Sequence, residues 1–190
     1  MSWLANRRRG VIAKKTNPYL MTAESNPEVF ALCLAQGWCT ADGMTYEDAA
    51  KVKSIGNVLR QAEIIHFDEF EFFTNVNNTF NFLSCTKLET IKLPPQITSI
   101  GAQVFRSCTK LEYIDIKSNV TSMGNYVFHT CSSLKNVYIH ATTPPTAGTN
   151  IFINVPTGTL NVYVPSESVD LYKSAENWTR YASCIKTMPT

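Results

Sequence analysis

A seven-residue pattern that occurs three times between residues 82 and 152 constrains the fold of this chain more than any other feature. Phenylalanine, cysteine and leucine stand at the same spacing in each copy, and the copies begin at the evenly spaced positions 82, 105 and 128. They are Phe82-Leu83-Ser84-Cys85-Thr86-Lys87-Leu88, Phe105-Arg106-Ser107-Cys108-Thr109-Lys110-Leu111 and Phe128-His129-Thr130-Cys131-Ser132-Ser133-Leu134. A fixed period of about 23 residues is typical of repeat proteins, in which each unit stacks on its neighbours along one axis.

Each copy continues into a short run that alternates apolar and polar residues and predicts a strand. The runs are Ile91-Lys92-Leu93, Ile114-Asp115-Ile116 and Val137-Tyr138-Ile139. In the first two copies a second extended piece follows, over residues 97–101 and 120–124. In the third copy Thr142-Thr143-Pro144-Pro145 stands in its place. Because proline cannot donate a hydrogen bond to a strand ladder, we expect the second row of strands to be interrupted there.

The alternation in the strands separates a core face from an outward face. A core column is predicted from Phe82, Phe105, Phe128 and Phe152. Two outward columns contain the candidate binding residues, which are Thr90, Tyr113, Asn136 and Asn161 in one and Lys92, Asp115, Tyr138 and Tyr163 in the other. Tyrosines with amide and charged neighbours are common on recognition surfaces. The alternative is a solvated sheet face on which aromatic residues simply favour strands.

The segments on either side of the repeats predict four regions. These are a basic N-terminal arm over residues 1–25, a helical N-terminal capping region over 26–81, the repeats over 82–165 and a helical C-terminal cap over 166–190. Asn26-Pro27 predicts a helix start with Asn26 as N-cap, and Thr45 with Asp48 predicts a capping box. A short helix with Asp68 as its cap is expected next. A hydrophobic plug over the first repeat is predicted from Phe67, Phe70, Phe72, Phe73 and Phe82.

The arm carries an unusual share of the positive charge. Five of the 17 basic residues lie there, and no acidic residue precedes Glu24; the five are Arg7, Arg8, Arg9, Lys14 and Lys15. Without them, 12 basic residues face 15 acidic ones, a net charge of −3 in a chain whose total is +2. Such an arm can bind an anionic partner. A solvated terminus is the alternative.

The sequence contains no pattern that indicates catalysis, a metal site or a cofactor. Three of the six cysteines share one repeat position and are expected in the core as small apolar side chains. His66, His129 and His140 lack the spacing to cysteine that a zinc site requires. Neither a Gly-x-Ser-x-Gly elbow nor a glycine-rich phosphate loop is present. No apolar run reaches the roughly 18 residues of a membrane span, and no signal peptide is evident at the start.

The pattern Phe-x-x-Cys-x-x-Leu-x-x-Ile-x-Ile, followed by Ile/Val-Thr-Ser-Ile/Met-Gly, resembles the BspA-type, or treponemal-type, leucine-rich repeat. The resemblance is close over residues 82–152 and looser from about 64 to 185. It implies an α/β fold. This fold is a short right-handed β–α solenoid with repeats of about 23 residues and a helical cap at each end. It also implies a role in adhesion or protein recognition at a cell surface, without catalysis. The chain departs from most relatives in its basic start, where they carry a secretion signal.

Two functions follow from these observations. The first is a non-enzymatic recognition or adhesion module that binds a protein or glycan through the exposed sheet face. The second is a structural component of a phage or other particle, at the tail or head, that docks to neighbouring subunits through the arm. Nucleic acid is not expected as a partner. The expected location is the cell surface or extracellular space by resemblance, or a virion.

Overall fold

The computed structural model describes residues 19–189, and the arm residues Arg7, Arg8, Arg9, Lys14 and Lys15 lie outside them. The fold is an α/β repeat fold built from short strands. The strands are β1 (Tyr19–Met21), β2 (Met44–Thr45), β3 (His66–Phe67), β4 (Thr90–Ile91), β5 (Ser99–Ile100), β6 (Tyr113–Ile116), β7 (Ser122–Met123), β8 (Asn136–Ile139), β9 (Thr146–Ala147), β10 (Asn161–Val164) and β11 (Ile185–Thr187). The α-helices are α1 (Pro27–Ala35), α2 (Tyr46–Lys51) and α3 (Val169–Ser174). Short 3-10 helices cover Asp68–Phe72, Ser166–Ser168 and Thr179–Cys184.

Parallel pairing between successive repeats produces the main sheets. One sheet has four strands in the order β11-β10-β8-β6, and a second has three in the order β5-β7-β9. Strand β3 pairs in parallel with β4, and β1 pairs antiparallel with β2. Tyr113 lies opposite Asn136, the residue one repeat later in the chain. The sequence period is therefore the step from one strand to its neighbour in the sheet.

A column of phenylalanine rings runs through the core, as predicted. Phe82, Phe105, Phe128 and Phe152 are buried. Neighbouring rings are nearly parallel, with centroids 5.4, 5.6 and 5.4 Å apart in order along the column. A buried ring of this size contributes several kcal/mol to stability, since truncating one to alanine costs about 3–5 kcal/mol.

A column of buried thiols ties each repeat to the one before it. The Sγ atom of Cys108 donates to the carbonyl oxygen of Phe82 at 3.1 Å, and that of Cys131 donates to the carbonyl oxygen of Phe105 at 3.0 Å. Cys85 makes the equivalent bond to Leu59 at 2.8 Å. Cysteine therefore serves as a small core residue that also satisfies a buried carbonyl group.

Left-handed backbone recurs at one turn of every repeat. Ser84, Ser107 and Thr130 have φ angles of 61°, 62° and 60°. Such a conformation costs on the order of 1–2 kcal/mol for a residue with a Cβ. The turn is stabilised because each amide donates to the next repeat; the amide of Ser107, for example, donates to the carbonyl oxygen of His129 at 2.8 Å. The stacking geometry therefore sets this conformation, and glycine is not required.

The two helix starts before the repeats behave differently from each other. Thr45 and Asp48 form the predicted capping box, with Thr45 Oγ1 accepting from the Asp48 amide and Asp48 Oδ2 accepting from the Thr45 amide, both at 3.1 Å. Asn26 occupies the N-cap position of α1, but its side chain makes no cap bond within the described residues. It donates instead to the carbonyl oxygen of His66 and to Glu69 Oε2. Asn26 thus connects the first helix to the start of the repeats.

Three other predictions are corrected. Asp68 lies inside its 3-10 helix and is not the cap, a position that Phe67 occupies. Phe72, which was predicted in the hydrophobic plug, is 37% exposed and packs edge-on against the Tyr46 ring. Phe80, which was not predicted there, belongs to the buried phenylalanine cluster instead. The prolines shift the second row of strands without ending it, because β9 resumes immediately after Pro145 and pairs with β7.

The chain after residue 165 covers the last phenylalanine of the column. The Tyr181 ring stands edge-on to Phe152, with centroids 5.1 Å apart. Tyr172 Oη donates to the carbonyl oxygen of Ala141 and Trp178 Nε1 donates to that of Pro145, both at 2.8 Å. Helix α3 agrees with the prediction of helix in this segment. Strand β11, which adds an edge to the main sheet, was not predicted.

Candidate functional site

The outward columns occupy one face of the parallel strands, and the strand register aligns most of their members. Tyr113, Asn136 and Asn161 lie side by side on β6, β8 and β10. Asp115, Tyr138 and Tyr163 lie side by side in the second column. We call the surface formed by these six residues the sheet face.

The other two candidate residues belong to the preceding pair of strands. Thr90 lies on β4 opposite His66, and His66 Nδ1 is 3.0 Å from Thr90 Oγ1. Lys92 follows β4 and pairs with Glu71 at 3.2 Å. The hydrogen bond to Glu71 raises the pKa of the Lys92 ammonium above its ordinary value. Lys92 is therefore a paired cation at the end of the sheet face.

An ion pair and an aspartate–histidine contact also lie along the side of the sheet face. Asp115 Oδ2 is 3.0 Å from Lys117 Nζ, and Asp115 Oδ1 is 2.9 Å from His140 Nε2. These side chains are more than a third exposed, so solvent screens them and each pair contributes about 0–1 kcal/mol to stability. Their larger effect is to orient Asp115 and to place charge beside an uncharged centre.

The centre of the sheet face consists of tyrosine and asparagine. The rings of Tyr138 and Tyr163 stack with centroids 5.1 Å apart and 20° between their planes. Tyr113 is 36% exposed on the neighbouring strand. None of these three hydroxyl groups makes a hydrogen bond to any residue in the range 19–189. The three phenols therefore present ring surface and unused hydrogen-bonding groups to solvent.

Sequence reasoning missed three contributors to this surface. Lys186 on β11 lies opposite Tyr163 and extends the second column. Glu112 and Lys135 each precede a column residue on its strand, and their side chains meet at 3.6 Å. Glu112 and Lys135 line an open depression of about 310 Å³ together with Tyr113, Asn136 and Tyr138. The position of Lys186 could not be found from the repeat pattern, because β11 lies beyond the last repeat.

The buried thiols of Cys33, Cys85 and Cys131 offer little nucleophilic or metal-binding chemistry. Burial raises the pKa of Cys33, Cys85 and Cys131 to about 12, so these thiols stay protonated near neutral pH. A thiol in this state is a poor nucleophile and a poor metal ligand. Over residues 19–189, no group of three or more His, Cys, Asp or Glu side chains is arranged to hold a metal ion.

The strand arrangement defines the class of the protein. Parallel strands recur at nearly constant intervals along the chain, with buried leucine, isoleucine, valine and phenylalanine at repeated positions, and this is the architecture of a leucine-rich repeat protein. The family model of the BspA type leucine-rich repeat region, which has six copies of the repeat, matches residues 62–176. The chain belongs to this family. No curated protein matches it.

The family match extends further towards the N-terminus than the three copies of the Phe-x-x-Cys-x-x-Leu pattern. The match begins at residue 62, well before the first Phe-x-x-Cys-x-x-Leu copy at Phe82, and so includes strand β3. No helix within the described residues is both long enough and apolar enough to cross a membrane.

Proposed function

We propose that this protein is a non-enzymatic recognition and adhesion module that binds a protein or a glycan through the sheet face. The observation that carries this proposal is the uncharged centre of Tyr113, Tyr138, Tyr163 and Asn136, surrounded by ion pairs and fixed on a regular parallel sheet. Membership of the BspA-type family supports it, since that family commonly mediates binding.

The composition of this surface suits binding. A tyrosine buries a large area on contact and loses little conformational entropy, because it has only two side-chain torsions. The stacking of Tyr138 on Tyr163 already restricts both rings in the free protein. Restricting a side chain before binding lowers the entropy lost when the complex forms.

The scaffold beneath the sheet face is proposed to be a short right-handed solenoid with a cap at each end. The parallel register and the phenylalanine column support the stacking. The buried phenylalanines at the start and Tyr172, Trp178 and Tyr181 at the end support closure of the two ends. Terminal repeats need such covering, because an open end exposes apolar surface. The three segment boundaries, after residues 25, 81 and 165, belong to this proposal.

The proposed location is the cell surface or the extracellular space, where proteins of this family typically act. A role in a phage or other particle depends on the basic arm, which lies outside the described residues. Beads coated with the protein test the main proposal through their adhesion to cultured cells, to extracellular-matrix protein and to mucin. We expect adhesion to at least one surface.

The variant for this assay is Tyr113→Ala combined with Tyr163→Ala. It removes two rings from the sheet face, so adhesion should fall at least about tenfold while the thermal melt stays cooperative. The matched control is Tyr126→Ala, which removes a partly exposed tyrosine that contacts His129 away from that face. Adhesion to none of the surfaces, or equal adhesion by the double variant and the control, would contradict the proposal.

A further inference from the structure

The depression beside Tyr138 is an open concavity in the sheet face, and the groups around it are of two kinds. Tyr113 and Tyr138 contribute rings, whereas Asn136, Glu112 and Lys135 contribute hydrogen-bonding groups. Among the described residues, no aliphatic side chain lines it. A volume of about 310 Å³ is at the lower end of the range of roughly 300–1,000 Å³ that is usual for small-ligand sites.

A chain of hydrogen bonds sets the direction of the Asn136 amide. The Lys186 ammonium can only donate, so the atom of Asn161 that faces it is the acceptor Oδ1, at 2.6 Å. Asn161 Nδ2 is then left to donate to Asn136 Oδ1, at 3.0 Å. Asn136 Nδ2 makes no hydrogen bond to any described residue and is available to a ligand. The orientation thus follows from the chemistry of Lys186.

The two sides of the Tyr138 ring have different neighbours. Tyr163 stacks on it from strand β10. Since β6 lies on the other side of β8, the second face of the ring is turned towards β6, where Asp115 lies opposite Tyr138 and Tyr113 lines the depression with it. An aromatic face carries partial negative charge and attracts C–H groups with partial positive charge.

The charged pair in the depression retains hydrogen-bonding capacity. Glu112 Oε1 and Lys135 Nζ are 3.6 Å apart, beyond the length of a strong hydrogen bond, and both side chains are more than half exposed. The carboxylate can accept from a hydroxyl group and the ammonium can donate to one. Because the two charges are opposite, the pair adds no net charge to the depression.

We infer that the depression binds a neutral pyranose unit of a glycan. This inference rests on the proposed function and names the ligand class for the same surface. A pyranose ring has a face of C–H groups, which fits against the tyrosine rings that line the depression, and a rim of hydroxyl groups. The hydroxyl groups accept from Asn136 Nδ2 and Lys135 Nζ and donate to Glu112. An aliphatic peptide side chain would satisfy none of these polar groups.

Titration of the whole 190-residue chain with four trisaccharides tests the inference. Three of them are neutral (maltotriose, cellotriose and triacetylchitotriose) and one is anionic (sialyllactose). Saturation-transfer NMR detects weak binding and identifies the sugar protons next to aromatic rings, and calorimetry gives the affinity. We expect at least one neutral trisaccharide to bind, with its ring C–H protons nearest to tyrosine.

The variants separate a specific site from a merely polar surface. Asn136→Asp keeps the size of the side chain and the acceptor for Asn161 but removes the free donor, so affinity should fall at least about tenfold. Tyr113→Ala should cause a similar loss. Tyr126→Ala, which removes a tyrosine away from the sheet face, should have no effect.

Several results would overturn the sugar assignment. These are binding by none of the three neutral trisaccharides, preferential binding of sialyllactose, or an unchanged affinity in Asn136→Asp and Tyr113→Ala. If the sugar result is negative while Tyr113→Ala with Tyr163→Ala still abolishes bead adhesion, the recognition function stands and only the ligand class is wrong. If neutral sugars bind at these residues but the beads adhere to nothing, the assignment of the depression as a sugar site holds and the adhesion function is wrong.

Discussion

The rings of Phe105 and Phe128 lie 5.6 Å apart with 5° between their planes, although a full repeat of the chain separates them. Both side chains are fully buried. The near-parallel contact repeats at Phe82 and at Phe152, so the position of each repeat is defined by the ring of the repeat before it. Any displacement of one ring changes the height and rotation of the next strand, and with them the spacing of the sheet face.

Phe105→Ala should lower the free energy of unfolding by about 3–5 kcal/mol, because it opens a cavity between two stacked rings. Urea unfolding followed by circular dichroism measures this loss. Tyr113→Ala is the control, since its ring is outside the core, and should cost about 1 kcal/mol or less. Similar losses in the two variants would mean that the phenylalanine column is not the core of the repeats.

Gly124→Ala should destabilise the protein by about 1–3 kcal/mol or more through overpacking. A Cβ atom at Gly124 would lie 2.4 Å from the backbone nitrogen of Ala102 in the preceding repeat, a distance that no side-chain movement relieves. Gly101 holds the same position one repeat earlier, where a Cβ would meet only a Val104 methyl group at 3.5 Å. The melting temperature should fall for Gly124→Ala and stay nearly constant for Gly101→Ala. The opposite order would contradict the close approach of the two backbones.

Stability should decrease as the pH rises from 9 towards 12. Burial raises the pKa of Cys131 from its ordinary value of 9.0 to about 12, and it also raises the pKa values of Cys85 and Cys108. In this range each thiol is protonated in the folded state and ionised in the unfolded state. The stabilisation that follows from this difference is thus fully present below pH 9. As the pH rises above 9, the free energy of unfolding falls by about 1.4 kcal/mol per pH unit for each thiol.

Urea unfolding at pH 7.5 and pH 10 measures this effect. The buried Tyr172 phenol has an ordinary pKa of 10.0, so its ionisation in the unfolded state affects stability mainly above pH 10. The thiols therefore dominate the difference in stability between pH 7.5 and pH 10. Cys131→Ala should be less stable than the parent protein at pH 7.5 but should lose less stability on going to pH 10. Equal losses in the two proteins would show that this thiol is not buried in the folded state.

The sequence predicts those parts of the fold that depend on residues close together in the chain or on the repeat period. The capping box of Thr45 and Asp48 is formed by residues three apart, and the phenylalanine column follows from one residue type at a fixed period. The left-handed turns at Ser84, Ser107 and Thr130 could not be predicted, because none is glycine and the partner of each amide lies in the next repeat. The conformation is visible only once the repeats are stacked.

The same limit applies to the site. The six residues of the sheet face follow from strand alternation and the repeat length. The free Nδ2 donor of Asn136 could not be predicted in this way, because the direction of its amide depends on Lys186 in a strand beyond the last repeat. Asn26 shows the same effect in the cap region: its local sequence predicts a helix cap, but its side chain binds His66 and Glu69, which lie much later in the chain.

The binding role of the sheet face is tested most directly by nitration of tyrosine with tetranitromethane, mapped by mass spectrometry in the free protein and on a surface to which the beads adhere. Tyr113, Tyr138 and Tyr163 lie on the sheet face, whereas Tyr46, which is 51% exposed, lies on helix α2. We expect adhesion to protect the three sheet-face tyrosines several-fold while Tyr46 reacts equally in both states. Equal nitration of Tyr113, Tyr138 and Tyr163 with and without the surface would contradict recognition through the sheet face.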